Sequence, residues 1–158
     1  MFFEYLRFVE LLKPRAVVIE NVRGILTRDK GFAKNRIDTL LNNLGYRIDC
    51  KVLNASDYGG PQNRLRAFFV AIREDLEVTF DFTSLDIKPK VTVQEAIGEL
   101  YTLDKIPTDL LLDEPSNNYT KYLRTKNQKL YNHEIKYPAE MTQKRISHVP
   151  QGGNWQDI

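Results

Sequence analysis

The stretch AFFVAI, residues 67 to 72, constrains this fold more than any other. It has the length of a strand rather than a helix. It shows no polar alternation, so as a strand it is covered on both faces. The chain must therefore supply a sheet with this segment inside it, and elements to cover that sheet. The preceding residues offer both. Phe2, Tyr5, Leu6, Val9 and Leu12 fall on one face of a helix over 2–12, and Pro14 blocks its continuation by biasing Lys13 away from helical dihedrals. VVIE ends a strand over 15–20. Ile37, Leu40, Leu41 and Leu44 give the i, i+3, i+4, i+7 stripe of a second helix over 33–44, with Gly45 as its C-terminal cap. YRIDCKVL, 46–53, alternates and reads as a half-buried strand. The order helix, strand, helix, strand, loop, strand resembles one half of an open α/β sheet.

Beyond Arg73 the pattern weakens. Residues 78–82 suit a short edge strand. Thr92 and Glu95 form a capping box that opens a short helix burying Val93, Ala96, Ile97 and Leu100. Residues 104–140 carry no strong period and are expected to form long loops. With 158 residues, 42% of them apolar and 28% charged, the chain is long enough for one domain with a real core. No apolar run approaches the roughly 18 residues of a membrane span, and the N-terminal stretch carries Glu4, Arg7 and Glu10 rather than a cleavage-type site. The cytoplasm is the default location, with no membrane partner. A net charge of +2 argues for no particular partner. Its distribution says more. From Tyr119 to His148 seven basic residues face two acidic ones, with four tyrosines interleaved. That composition fits nucleic-acid contact, and it also fits a solvated surface.

Two motifs carry polar chemistry into apolar segments. VVIENVRG ends a strand on Glu20 and Asn21. In open α/β sheets ligands gather at the carboxyl ends of strands, and a surface turn fits the same residues. In DYGGPQNRLRAFFVA, Gln62, Arg64 and Arg66 alternate at period two as the chain enters its buried strand, which puts them on one side. Gly59 and Gly60 permit close backbone approach. Guanidinium groups match planar carbonyl, carboxylate and phosphate partners. A structural ion pair, for example Arg64 or Arg66 with Glu20, satisfies them equally. Cys50, the sole cysteine, sits mid-strand beside Ile48 and Val52 and reads as a small buried hydrophobe. His133 and His148 have no partners at metal spacing, so no metal site is expected. For Trp155, a loop anchor and a DNA contact both fit.

ENV after an apolar strand, followed some 40 residues later by YGGPQNRLRAFFVA, closely resembles the cytosine-5 DNA methyltransferases. FFEYLRFVELLKPRAVVIENVRGIL, VTVQEAIGEL, Asn132-His133 and RISHVPQGGNWQDI extend the likeness over nearly the whole chain. The resemblance implies an enzyme that flips a cytosine out of double-stranded DNA. A cysteine thiolate adds to C6, and C5 takes a methyl group from S-adenosylmethionine. It implies that Glu20 serves N3 and the exocyclic amine, that Arg66 serves O2, that Arg64 and Gln62 support the pocket, and that Asn21 braces it. The family's Phe-x-Gly-x-Gly cofactor loop and Pro-Cys nucleophile loop are absent from these 158 residues, and Cys50 does not replace the nucleophile.

The expected fold is therefore α/β. It comprises a partial doubly wound, Rossmann-like methyltransferase sheet with mixed strands, then a loop-rich segment leading into the target-recognition region. Residues 1–100 correspond to the C-terminal half of the catalytic domain and 101–158 to the start of the recognition region. The loop between the strands at 46–53 and 67–72 is short for a crossover, so those strands should pair antiparallel. The strand ending at Glu20 should present a bare edge open to self-association. Two functions stay open at this level: a methyltransferase piece inactive alone, and a non-catalytic DNA-binding or assembly module.

Overall fold

The structure, a computed structural model, describes residues 2–100, 114–124 and 136–158. It divides into two compact units, residues 1–96 and 97–158. The first unit opens with α1 (Phe2–Leu12), followed by β1 (Ala16–Val22), α2 (Phe32–Asn43), β2 (Tyr46–Asn54) and β3 (Leu65–Arg73). The strands form one sheet in the order β1-β3-β2. Both pairings are antiparallel, with Glu20 opposite Phe68 and Cys50 opposite Phe69. The expected antiparallel pairing of β2 and β3 is present. The expected mixture of parallel and antiparallel pairings is not: among the described residues both pairings are antiparallel. For β2 and β3 the reason is connection length. A parallel neighbour needs a crossover of a dozen or more residues, and only residues 55–64 separate β2 from β3.

β3 is the central strand, as its unbroken apolar run requires. Ala67, Phe69 and Ala71 are fully buried on the face that α1 and α2 cover, in a core with Leu6, Val9, Val17, Ile37, Leu41 and Tyr46. Val70, on the opposite face, is also buried. Cys50 and Ile48 pack against the core from β2, half-buried as alternation implies. The stripe on α2 behaves as read, with Ile37 and Leu41 buried and Leu40 and Leu44 at the margin. Among the described side chains of α1, Leu6 and Val9 reach the core, and the side chain of Phe2 lies outside those described. Tyr5 and Leu12, expected beside them, lie exposed. The helix sits rotated so that its narrower stripe meets the sheet.

The turn out of α1 is firmly held. Lys13 adopts φ 44°, outside the helical region that Pro14 denies it. Its carbonyl accepts from Arg73, and the Pro14 carbonyl accepts from the buried Tyr46 hydroxyl at 2.7 Å. Gly45 ends α2 at φ 81°, the left-handed conformation that glycine adopts without strain.

Downstream, residues 78–81 form no strand, and a 3-10 turn follows at Phe82–Ser84. The Asp81 carboxylate takes the Thr83 amide and hydroxyl, each at 2.7 Å, and this local bonding wins over a ladder. α3 (Val93–Ile97) starts on the expected capping box, with Glu95 accepting from the Thr92 amide at 2.7 Å. Val93 and Ile97 are exposed rather than buried, while Ala96 and Leu100 are partly covered.

The second unit contains α4 (Asn118–Arg124) and α5 (Glu140–Ile146). α4 corrects the expectation of loops across 104–140. Asn117 caps it by accepting from the amides of Tyr119 and Thr120, both at 2.9 Å, and Arg124 pairs with Glu99. Seven residues burying only Thr120 leave no apolar period to read. Lys126, Lys129, Tyr131, Asn132 and His133 lie outside the described residues.

Candidate active site

Antiparallel pairing brings the two polar motifs to one end of the sheet. The last residues of β1 face the first of β3: Val22 lies opposite Arg66 and Glu20 opposite Phe68. Glu20, Val22 and Arg66 thus share one face, with Glu20 and Arg66 on a diagonal. The Arg66 Nε lies 2.8 Å from Glu20 Oε1. The guanidinium is four-fifths buried and the carboxylate half exposed. Arg66 Nη1 donates to the Leu65 carbonyl at 2.9 Å. Among the described residues, Arg66 Nη2 and Glu20 Oε2 enter no hydrogen bond. The pair therefore presents a donor and an acceptor at a partly open sheet end.

The connecting loop positions the rest. The Asn54 side chain at the end of β2 accepts from the Arg64 amide at 2.9 Å and from the Ser56 amide at 3.5 Å, tying both ends of the loop. The Ala55 amide donates to the Arg64 carbonyl at 3.0 Å, and the Gly60 amide donates to the Ala55 carbonyl at 2.9 Å. A Cβ on Gly60 would stand 2.9 Å from that carbonyl, so the close approach needs glycine. Gly59 holds φ 85°. Asn54 is a positioning residue that sequence reasoning missed. Its signal was an amide at a strand end just before a turn.

The other candidates fall in different places. Arg64 and Gln62 are exposed, and among the described residues neither side chain has a hydrogen-bond or ion-pair partner. Asn21 lies opposite Ala67, and alternation turns it to the face away from Glu20. Its carboxamide oxygen accepts from the Val22 amide at 2.8 Å. Of the five candidates, the structure brings Glu20 and Arg66 into contact, carries Arg64 and Gln62 on the adjoining loop, and leaves Asn21 as a backbone brace beneath them.

Cys50 is remote from this pair by topology. It lies on β2, with β3 between it and β1, and it faces the helices while Glu20 faces away. Burial pushes its thiol up, which suppresses the nucleophilic thiolate. Among the described residues no three His, Cys, Asp or Glu side chains gather as a metal site. His148 is exposed, with Nδ1 2.6 Å from the Lys144 carbonyl oxygen. Trp155 opens a capped turn in the second unit with its ring exposed, lining a shallow groove of about 920 Å³ with Met141 and Ile146.

Two concavities described in the first unit are small. One of about 210 Å³ lies between Lys34, Asp38 and Cys50, and one of about 270 Å³ between Leu6, Glu10 and Leu40. Both fall below the usual range for a cofactor the size of S-adenosylmethionine, and neither has a glycine-rich turn at a helix start. Neither of these two concavities fits the methyl donor. No described helix is long and apolar enough to cross a membrane.

Comparison with known proteins follows the same lines. A sequence profile described as C-5 cytosine-specific DNA methylase matches residues 1–157. The Type II methyltransferase M1.HphI of Haemophilus parahaemolyticus is 34% identical over 126 residues, covering 80% of this chain and 33% of the relative. The Type II methyltransferase M.MthTI of Methanothermobacter thermautotrophicus is 40% identical over 99 residues, covering 63% of this chain and 30% of the relative. A solved DNA modification methyltransferase encoded within a prophage (E. coli) superposes with a TM-score of 0.57 at 23% identity, over 99% of this chain and 41% of its own; that likeness concerns the fold. The chain spans about a third of the length of these curated relatives. With a match that runs from its first helix to its last turn, the chain belongs to the C-5 cytosine-specific DNA methylase family.

Proposed function

We propose that this chain is the cytosine-pocket portion of a DNA (cytosine-5-)-methyltransferase of the restriction-modification type, acting on a flipped cytosine in double-stranded DNA. The observation that carries the reading is the 2.8 Å contact between Glu20 and Arg66 across β1 and β3. A carboxylate and a guanidinium held in contact match the polar edge of cytosine, where N3 lies between the exocyclic amine and O2. Glu20 Oε2 takes the amine and N3 side. Arg66 Nη2 donates to O2, where negative charge grows as a thiolate adds at C6. Such a donor stabilises the addition more than the ground state. Arg64 and Gln62 hold the flanking nucleotide from the loop, and Asn21 keeps the end of β1 in register. The three-stranded sheet corresponds to the antiparallel end of a doubly wound parent sheet.

S-adenosylmethionine, the methyl donor of this reaction, binds outside these residues, as does the nucleophilic cysteine. The chain alone therefore transfers no methyl group. Incubated with duplex DNA and labelled S-adenosylmethionine, it should incorporate nothing above background; incorporation abolished by Cys50→Ser would sink this reading. A second reading, a non-catalytic DNA-binding module, is favoured by the solvent-facing Lys121, Lys144 and Arg145. The two part in a methyltransferase completed with this chain, where Glu20→Gln should lower the methylation rate on the order of 100-fold to 1,000-fold and leave DNA affinity nearly unchanged.

A further inference from the structure

The loop between β2 and β3 carries Gln62 and Arg64 and leads straight into Arg66, so whatever holds the loop sets where those side chains stand. Asn54 holds it from the strand side. Its middle, residues 56–59, has a weaker hold of its own. Ser56 is buried, yet its hydroxyl has no hydrogen-bond partner among the described residues. Among those residues, one backbone hydrogen bond reaches 56–59 from outside the loop: the Lys88 amide donates to the Asp57 carbonyl at 2.9 Å. The Lys88 Cβ also lies 3.8 Å from where a Cβ on Gly59 would stand, so its stem runs against that glycine.

Residues 85–91 are drawn between two fixed points. Upstream, Phe82 is buried and meets Phe80 edge to face at 4.9 Å, in the turn that the Asp81 side chain caps. Downstream, the capping box of Thr92 and Glu95 starts α3. Between them, among the described residues, the Lys88 amide makes the one backbone hydrogen bond of the segment, and it goes to the pocket loop. Pro89 keeps Lys88 out of helical dihedrals. The charges add little. Lys90 Nζ lies 3.8 Å from Asp57 Oδ1 and Lys88 Nζ 3.6 Å from Asp86 Oδ2, and both pairs are exposed to solvent.

We propose that Lys88 is a positioning residue of the cytosine pocket. Its amide, through the Asp57 carbonyl, holds the loop over 55–64 in the form that presents Gln62, Arg64 and Arg66. The backbone N–H does this, and the side-chain charge does not. A group that meets a substrate from a loop is only as well placed as the loop, and a displacement of about 1 Å costs on the order of 100-fold in rate. This inference rests on the functional reading above.

The test compares Lys88→Pro, which deletes the donor, with Lys88→Ala, which keeps it. In this chain, amide hydrogen exchange at Gly60 and Arg64 should quicken by at least about tenfold in Lys88→Pro and hold steady in Lys88→Ala, with Phe69 and Ala71 unaffected in both. Replacing the Lys88 peptide amide by an ester removes the same donor without adding a ring, and it should give the same result. In a methyltransferase completed with this chain, Lys88→Pro should lower kcat about tenfold to 100-fold and leave DNA affinity and the urea midpoint nearly unchanged, while Lys88→Ala and Lys90→Met keep full rate. Unaltered loop exchange in both the proline and the ester variants overturns the proposal. So does faster exchange with an unaltered kcat, which would make the bond a surface latch with no bearing on the pocket. A lowered kcat in Lys88→Pro beside full rate in Glu20→Gln removes the functional reading of Glu20 and leaves the role of the loop standing.

Discussion

The two units hold their shape by different means. In the first, Tyr46, Phe69 and Leu41 are almost completely buried, and residues far apart in sequence meet in one core. In the second, every residue of α5 is exposed, and the described contacts are largely local, such as the Asn117 cap on α4 and the capping box of Asn154 and Asp157, with Glu99 adding a longer link to Ser116 and Arg124. Long-range packing fixes side chains to a fraction of an ångström, as pocket chemistry needs. Local caps fix a turn but not its surroundings. The polar motifs with exact geometric demands, Glu20 and Arg66, lie on the packed unit, while Lys144 and Arg145 lie on the locally ordered one.

The sharpest way to break this contrast is truncation in each unit. Phe69→Ala empties a fully buried site on the central strand and should cost about 3–5 kcal/mol. Ile146→Ala on α5 should stay within about 0.5 kcal/mol, as for an exposed residue. Urea unfolding of both variants checks this. Comparable losses would mean that α5 packs more deeply than its exposure indicates.

A second comparison concerns chemistry. In a methyltransferase completed with this chain, Glu20→Gln and Arg66→Ala should each lower the single-turnover methylation rate on the order of 100-fold to 1,000-fold, with a much smaller effect on DNA affinity. Cys50→Ser, on the other face of the sheet, should leave the rate within a few-fold. Full rate in Glu20→Gln would remove the carboxylate from the pocket.

The same residues show what was legible beforehand. The AFFVAI run required a central strand, and the stripe of α2 and the alternation of β2 have unambiguous periods. Glu20 and Arg66 were each readable as a polar residue on an apolar strand, and their pairing was one of the readings the sequence left open. Register turned that possibility into a contact. The side of α1 that packs was not readable, because apolar residues spread over more than one face and only the sheet selects among them. Val93 and Ile97 misled for a related reason: a helical period marks a face but does not supply a surface for it. The direction of the strands depended on loop length, which reads correctly for β2 and β3. Asn54 and the Asn117 cap escaped notice because side-chain bonds to backbone leave little trace in hydrophobic pattern.

A third comparison uses salt. DNA binding by the completed enzyme should weaken with salt, and Lys144→Gln and Arg145→Gln should each reduce the slope of log affinity against log salt by about 0.9 if each contacts one phosphate. Methylation at saturating DNA should stay near its original rate. Fluorescence anisotropy at several salt concentrations measures the slope. Unchanged slopes in both variants would leave the second unit without a phosphate role.

The smallest effect separates long-range from local order within the first unit itself. Arg73 hydrogen bonds hold the Asp75 carboxyl below its ordinary range, the Thr83 hydroxyl and amide do the same for Asp81, and the Thr92 amide and hydroxyl for Glu95. A carboxylate with a lowered folded-state pKa binds protons less readily folded than unfolded. Its stabilisation is complete above the unfolded-state pKa and fades as pH falls from there through the lowered folded value. All three groups are solvent-exposed, so each contribution is small and screened by salt. The urea midpoint should therefore drift down as pH drops below the ordinary carboxylate range. Asp75→Asn, Asp81→Asn and Glu95→Gln combined should flatten that drift and lower the midpoint at neutral pH. Phe69→Ala should lower the midpoint at every pH and leave the slope as it was, because a core side chain carries no proton. A triple variant with the original slope would place the acid sensitivity elsewhere in the chain.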